Sequence, residues 1–301
     1  MDAPFDCVPT AIQGENVLRS IDSGLAPLLP RMGPGFVLRV LSKRARPAPG
    51  GAVAPLTSRF TLPSLDQAHV DRYSQALGFS PGTVPLPYWY LPVQRAHMAT
   101  LLSDDFPYRL AGIVHVENEL AAHTQAPANA PIVLATRIDI LPPTASGAVY
   151  CALETIGSSN GERIFTCTSK YLAVRGARSG KARGQRPIAE PGAVIDSWTL
   201  APSSGRAYAR ISGDWNPIHL TRWSARLMGL PAPIIHGMHS LARTCAALEK
   251  NAGRPVVSIS VRFTAPVPLG EAAVLTRGIQ PDRYVLFCAG VPAADGAFTL
   301  G

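Results

Sequence analysis

Ser212-Gly-Asp-Trp-Asn-Pro-Ile-His219, followed by Ile235-His-Gly-Met238, is the pair of segments around which this 301-residue chain is organised. A carboxylate (Asp214) and an imidazole (His219) stand five residues apart. Asn216 and Pro217 lie between them and turn the backbone, so the stretch is not plain helix. Further on, Gly237 opens a run in which Met238, Leu241, Ala242, Cys245 and Leu248 recur at helical spacing, which predicts a helix with one apolar face. An acid, a base and a free helix N-terminus are what proton chemistry next to a carbonyl requires. The two segments together are read as an active site.

Outward from this centre, Val194–Leu200 reads as a strand, Ser203 or Ser204 can cap a helix running to Ile211, and Arg222–Met228 makes a short helix ending at Gly229. Strands follow at Val256–Thr264, Ala272–Ile279 and Tyr284–Ala289, with a short one near Phe298. The first half has the same order. Arg59-Phe-Thr-Leu62 is a short strand, and Ser64-Leu-Asp-Gln67 is a capping box before a helix through Val70, Tyr73 and Leu77 that stops at Gly78. A Pro-rich loop then leads to Tyr88-Trp-Tyr-Leu91 and a helical run from Val93 to Leu102. Strands at Leu110–Leu120, Ile132–Leu141, Ala148–Ile156 and Ile164–Val174 complete it. The economical architecture is α+β: an antiparallel sheet wrapped round one long helix, twice, side by side.

Four segments result. Residues 1–55 read as an irregular extension, in which Val17–Leu29 can form a short helix and Pro27, Pro30 and Pro34 interrupt any longer one. Residues 56–174 form the first unit, 175–192 a basic, Gly-rich linker, and 193–301 the second unit. Much of the net charge of +8 sits in and around that linker. It reads as a solvated connection or as a docking surface for an anionic partner such as coenzyme A or an acidic carrier protein. Nucleic acid is disfavoured, since aromatics are not interleaved with the basic residues. With 47% hydrophobic residues the chain can bury a sizeable core, and no apolar run reaches the length of a membrane span. Asp2 and Asp6 near the start argue against a secretory signal, so a cytoplasmic protein is expected. Five scattered cysteines without a CxxC pair argue against a disulfide framework or a zinc site.

Tyr208-Ala-x-x-Ser-Gly-Asp-x-Asn-Pro-Ile-His219 with His236-Gly-Met238, and the later Val261-Arg-Phe-x-x-Pro-Val267 with Gly270, resemble the MaoC-like, R-specific enoyl-thioester hydratase/dehydratase group of hotdog-fold proteins. The matching motifs span roughly residues 200–270. The first half resembles the group only in layout and in Gly112-Ile-Val-His-Val-Glu-Asn-Glu119, and lacks the Gly-Asp-x-Asn-Pro-x-His segment. The resemblance implies a double hotdog with one active and one degenerate half, acting on 2-enoyl or (3R)-3-hydroxyacyl thioesters of coenzyme A or acyl carrier protein. It implies no metal and no redox cofactor. Asp214 and His219 then hold a water and exchange proton roles, and the backbone N–H of Gly237 serves as oxyanion donor. Ser212 and Asn216 brace the loop and Met238 borders the substrate; His236 braces the helix start or meets the substrate directly, and Arg262 reads as an exposed strand residue or as a phosphate contact. Tyr88 and Trp89 read as core residues or as part of an acyl pocket near the degenerate half's cleft. The internal pseudo-dimer leaves a monomer or a homodimer open.

Competing signals are weaker. Gly157-Ser-Ser-Asn-Gly161 matches a serine-hydrolase string, but it lies between two strands and carries the hairpin pair Asn-Gly. His219, His236 and His239 lack zinc-ligand spacing, and His97, His115 and His123 read as structural. Within the hotdog class, thioester hydrolysis is the alternative activity, and a non-catalytic acyl-thioester binding subunit is the alternative from another class.

Overall fold

The structure, a computed structural model, describes residues 26–46, 53–176 and 192–301. The expected basic linker falls almost wholly outside these residues, as do the loop at 47–52 and most of the helix expected from Val17.

The first half runs α1 (Pro34–Ser42), β1 (Leu56–Leu62), α2 (Gln67–Leu77), a 3-10 turn (Leu86–Trp89), α3 (Tyr90–Leu101), and then β2 (Val114–Ala122), β3 (Ile132–Ile140), β4 (Val149–Ser159) and β5 (Glu162–Val174). The second half runs β6 (Val194–Thr199), α4 (Ser204–Ser212), a 3-10 turn (Pro217–His219), α5 (Arg222–Leu227) and α6 (Gly237–Ala252). It ends in β7 (Val256–Phe263), β8 (Ala272–Arg277), β9 (Arg283–Cys288) and β10 (Val291–Leu300). Period-two burial shows on β3, where Ile132, Leu134, Thr136 and Ile138 face inward. On α6, the apolar positions Met238, Leu241, Ala242, Cys245 and Leu248 are all buried.

The strand order is β1-β3-β4-β5-β2-β7-β10-β9-β8-β6. Read from either edge, each half has its first, third, fourth, fifth and second strands in that order. The repeat of layout is therefore a repeat of topology about the β2/β7 junction. Where two sheets side by side were expected, antiparallel pairing of β2 with β7 (Glu117 opposite Arg262, Leu120 opposite Ile259) joins them into one ten-stranded sheet. Edge strands left unpaired at that seam would be open to association with other chains, and joining them removes both. The halves also share a core: Val70, Trp89, Leu120 and Phe165 of the first pack in one cluster with Tyr208, Leu241, Cys245 and Ile259 of the second.

Several local expectations are corrected. Residues 34–42 are helical where an irregular extension was expected, because Pro34 occupies the first turn, where its missing N–H costs nothing. The cap of α2 is Asp66, whose carboxylate accepts from the His69 N–H, and not Ser64. Ser203 stands at the N-cap of α4 without a side-chain hydrogen bond. The last strand is ten residues long instead of a short piece near Phe298. The Asn160-Gly161 pair does make the β4–β5 hairpin, with Asn160 at φ 51°, and no nucleophile elbow forms there.

Candidate active site

The loop after α4 builds the site from local hydrogen bonds. Gly213 ends that helix at φ 77°, a left-handed conformation in which glycine carries no steric cost. The Asp214 N–H then donates to Ser212 Oγ (3.2 Å), the Asn216 N–H to Asp214 Oδ1 (3.1 Å), and the Ile218 N–H to Asn216 Oδ1 (3.4 Å). These short side-chain-to-backbone bonds are why Ser, Asp and Asn occupy those positions. They bring Asp214 and His219 to one side, Asp214 half-buried and His219 buried.

Two histidines complete the cluster. His219 Nδ1 donates to the carbonyl of Ile234 (2.9 Å), and His236 Nε2 donates to the carbonyl of Asp214 (2.9 Å). Each main-chain acceptor fixes a tautomer, leaving His219 Nε2 and His236 Nδ1 as lone pairs. The latter is buried without a hydrogen-bond partner. Asp214, His219 and His236 bring one ligand-type atom each within 4.8 Å of one another. The absence of metal-ligand spacing in the sequence thus does not carry over into space: this is a set a divalent ion could share.

Burial pushes the His219 imidazole down to about 4, assisted by His236 and opposed by Asp214. Burial pushes His236 down as well, against the pull of Asp214. For Asp214, burial alone would raise the carboxyl. His236, His219, the Gln94 amide and the Asn216 N–H outweigh it and hold the group below its ordinary value. At neutral pH the site therefore pairs an anionic carboxylate with a neutral imidazole whose Nε2 can take a proton.

Gly237 begins α6, so its N–H has no acceptor within the helix and lies at the positive end of the helix dipole. A Cβ here would come within 2.8 Å of the Phe263 ring, so any larger residue must displace that ring or the start of the helix. Met238 follows it, buried in the shared core.

Three residues placed at the substrate from sequence are engaged within the protein. Arg262 lies on β7 next to Phe263, and since Phe263 points toward α6, alternation sends Arg262 to the opposite face. There its guanidinium is engaged by both oxygens of Asp295 at 2.8 and 2.9 Å. Tyr88 and Trp89 are core residues. Trp89 stacks on Phe165 (centroids 4.7 Å apart), and the Tyr88 hydroxyl bonds His69 Nδ1 at 2.9 Å. Both side chains are buried in the core shared by the two halves.

The sequence reading missed the residues of the first half that hold this loop. Gln94 on α3 donates from Nε2 to Asp214 Oδ2 at 2.8 Å. His69 Nε2 donates to the Ile211 carbonyl at 2.9 Å, and Met32 lies against Gly213. One signal was available for Gln94: a polar residue on a helix otherwise rich in buried side chains.

The family model of the MaoC like domain matches residues 180–278, the segment that carries the loop and α6. Two curated proteins of Mycobacterium tuberculosis are similar over most of the chain. 3-hydroxyacyl-thioester dehydratase Y is 32% identical over 203 residues, covering 62% of this chain and 69% of that protein. 3-hydroxyacyl-thioester dehydratase X is 28% identical over 215 residues, covering 70% and 76%. The crystal structure of HtdX from the same organism superposes with a TM-score of 0.65 at 26% identity, covering 80% of this chain and 98% of that one. No helix among the described residues is long and apolar enough to cross a membrane. With its hotdog topology, its loop and α6 in hand, the chain belongs to the MaoC-like dehydratase family.

Proposed function

We propose that this chain is a hydro-lyase that interconverts 2-enoyl and (3R)-3-hydroxyacyl thioesters in fatty-acid or related acyl metabolism, drawing on a cytoplasmic pool of thioesters of coenzyme A or acyl carrier protein. The observation that carries the proposal is the grouping of Asp214, His219 and His236 atoms within 4.8 Å, with His219 Nδ1 committed to the Ile234 carbonyl, at the end of α6 that Gly237 begins. A water held between the carboxylate and Nε2 gives one proton to the pair as its oxygen bonds to C3. The electron pair of the C2=C3 bond moves toward the thioester, and the charge that develops on its oxygen meets the Gly237 N–H and the field of α6. Delivery of the proton to C2 completes addition of one water, and dehydration runs the same path backward. The R configuration follows from the family resemblance.

The test is loss of enoyl absorbance with crotonyl-CoA, a longer 2-enoyl-CoA and the corresponding carrier-protein thioesters. Wild type should turn over at least one of them without releasing thiol, and Asp214→Asn and His219→Ala should each fall by about 10²–10⁴-fold. Thiol release in place of enoyl loss would make the chain a thioesterase. Tight binding without any turnover would make it a binding subunit.

A further inference from the structure

The proposed function puts Asp214 at the reacting atoms, and the inference here rests on that reading. Asp214 belongs to the second half, yet one of its two oxygens is held by the first. Oδ1 takes the N–H of Asn216, a bond internal to the loop. Oδ2 takes the amide of Gln94, 120 residues away in sequence. We propose that Gln94 is a positioning residue for the reaction, fixing the orientation and charge of the Asp214 carboxylate, so that the half lacking the catalytic loop supplies a working part of the site.

The residue type suits the task. An amide N–H is an uncharged donor: it stabilises the anion without pairing it off, as Arg or Lys would, so the carboxylate keeps its capacity to exchange a proton. A carboxylate in its place would set two like charges in contact. With one bond to each oxygen the carboxylate plane is set, and a lone pair on each remains for water.

The helix that presents Gln94 is itself held on two sides. Tyr90, one turn earlier, is fixed by its hydroxyl to His115 Nδ1 (3.1 Å) and to the Tyr171 hydroxyl (2.8 Å). Arg95 donates to the carbonyls of Leu29 and Pro30 at 3.0 and 2.7 Å. A donor on a rigid element is pre-placed instead of being recruited during turnover. The bond from His69 to the Ile211 carbonyl and the contact of Met32 with Gly213 hold the end of α4 that leads into the same loop.

The titratable groups around Asp214 are His219 from the loop, His236 at the start of α6, Tyr208 of α4, Tyr90 of α3, His115 of β2 and Tyr171 of β5. Burial raises the tyrosines and lowers the histidines, so all six are neutral near pH 7. Among the described residues of the first half, Gln94 is the one whose side chain donates to the carboxylate.

Two variants of the full chain test this: Gln94→Met, similar in size without the donor, and Gln94→Glu. Loss of one charge-assisted hydrogen bond predicts a fall in kcat of about 10- to 100-fold with KM within about twofold. The acid limb of kcat/KM should move to higher pH in Gln94→Met, since the carboxylate loses a donor that favours its charged form. In Gln94→Glu it should move further, with partial recovery as the introduced carboxyl takes a proton and becomes a donor. The companion readout is the carboxyl ¹³C titration of Asp214, assigned by its loss in Asp214→Asn, which should shift upward in Gln94→Met whether or not the enzyme turns over a given thioester. An upward shift without wild-type hydration would uphold the Gln94 contact and reject the proposed reaction. An Asp214 titration and acid limb unmoved in both variants would overturn the role of Gln94, even if activity and melting temperature fell together.

Discussion

The imidazole of His236 lies face to face with that of His219, ring centroids 3.7 Å apart and planes 27° from parallel, and each ring gives one N–H to a main-chain carbonyl. Protonating both would stack two cations in a buried site. The pair is therefore held neutral, and under the proposed mechanism the base is then available well below the ordinary histidine range. With His219 at about 4 and Asp214 below its ordinary value, kcat/KM of wild type should stay flat down to about pH 5 and fall only below it. A midpoint near 6.5 in the pH–rate profile would contradict this.

Stability should show the complementary behaviour. His97, His115 and His239 are pushed to about 3 by burial, and His219 to about 4. Their folded values lie below the unfolded value of about 6.5, so as pH falls through that value the unfolded chain binds protons that the folded one refuses. The stability associated with these groups is full above about pH 7 and declines progressively below about pH 6.5. Thermal melts between about pH 7.5 and pH 5 should show a falling midpoint, and a constant one would count against neutral burial of these rings.

Gly237 and Phe263 should behave as one unit. Gly237→Ala puts a methyl within 2.8 Å of the Phe263 ring, which must displace either the ring or the start of α6. Overpacking of this kind costs about 1–3 kcal/mol, and displacement of the proposed oxyanion donor should cost about 10²-fold or more in kcat. Adding Phe263→Ala should restore part of the rate lost in Gly237→Ala, a non-additivity that a double-mutant cycle reads directly. Strict additivity would separate the two residues.

Arg262 should matter to the sheet and not to the substrate. Lys170, Glu117, Arg262 and Asp295 stand opposite one another on four neighbouring strands, alternating in charge across the seam between the halves. The Arg262–Asp295 pair is close (2.8 Å) and partly shielded, whereas Lys170 and Glu117 are looser at 3.9 Å. Arg262→Ala should lower stability by about 0.5–1 kcal/mol in denaturant melts and leave KM for an acyl-CoA unchanged. A severalfold rise in KM would restore the phosphate contact.

Trp89 offers a similar contrast. Stacked on Phe165 and buried in the core common to both halves, it should cost about 3–5 kcal/mol on substitution by Ala. Trp89→Phe should leave the preference for acyl chain length unchanged. A changed preference in that milder variant would show that this ring borders substrate.

The chain on its own determined the local features. Ser212, Asp214 and Asn216 bond to backbone groups two residues away, Gly213 takes the left-handed turn, and the apolar stripe from Met238 to Leu248 has the period of a helix. Interactions of that range are written in the spacing of neighbouring residues, so the loop, the long helix and the duplicated layout were legible without coordinates. Tertiary structure alone decided the features that depend on partners far apart in sequence. It joined the sheets through β2 and β7, turned Arg262 to the face away from α6, and closed Trp89 under Phe165. It brought Gln94 to Asp214, and it stacked His236 on His219. A buried polar contact between halves leaves no period and no motif in either segment, because its geometry is set by how two separately formed elements pack.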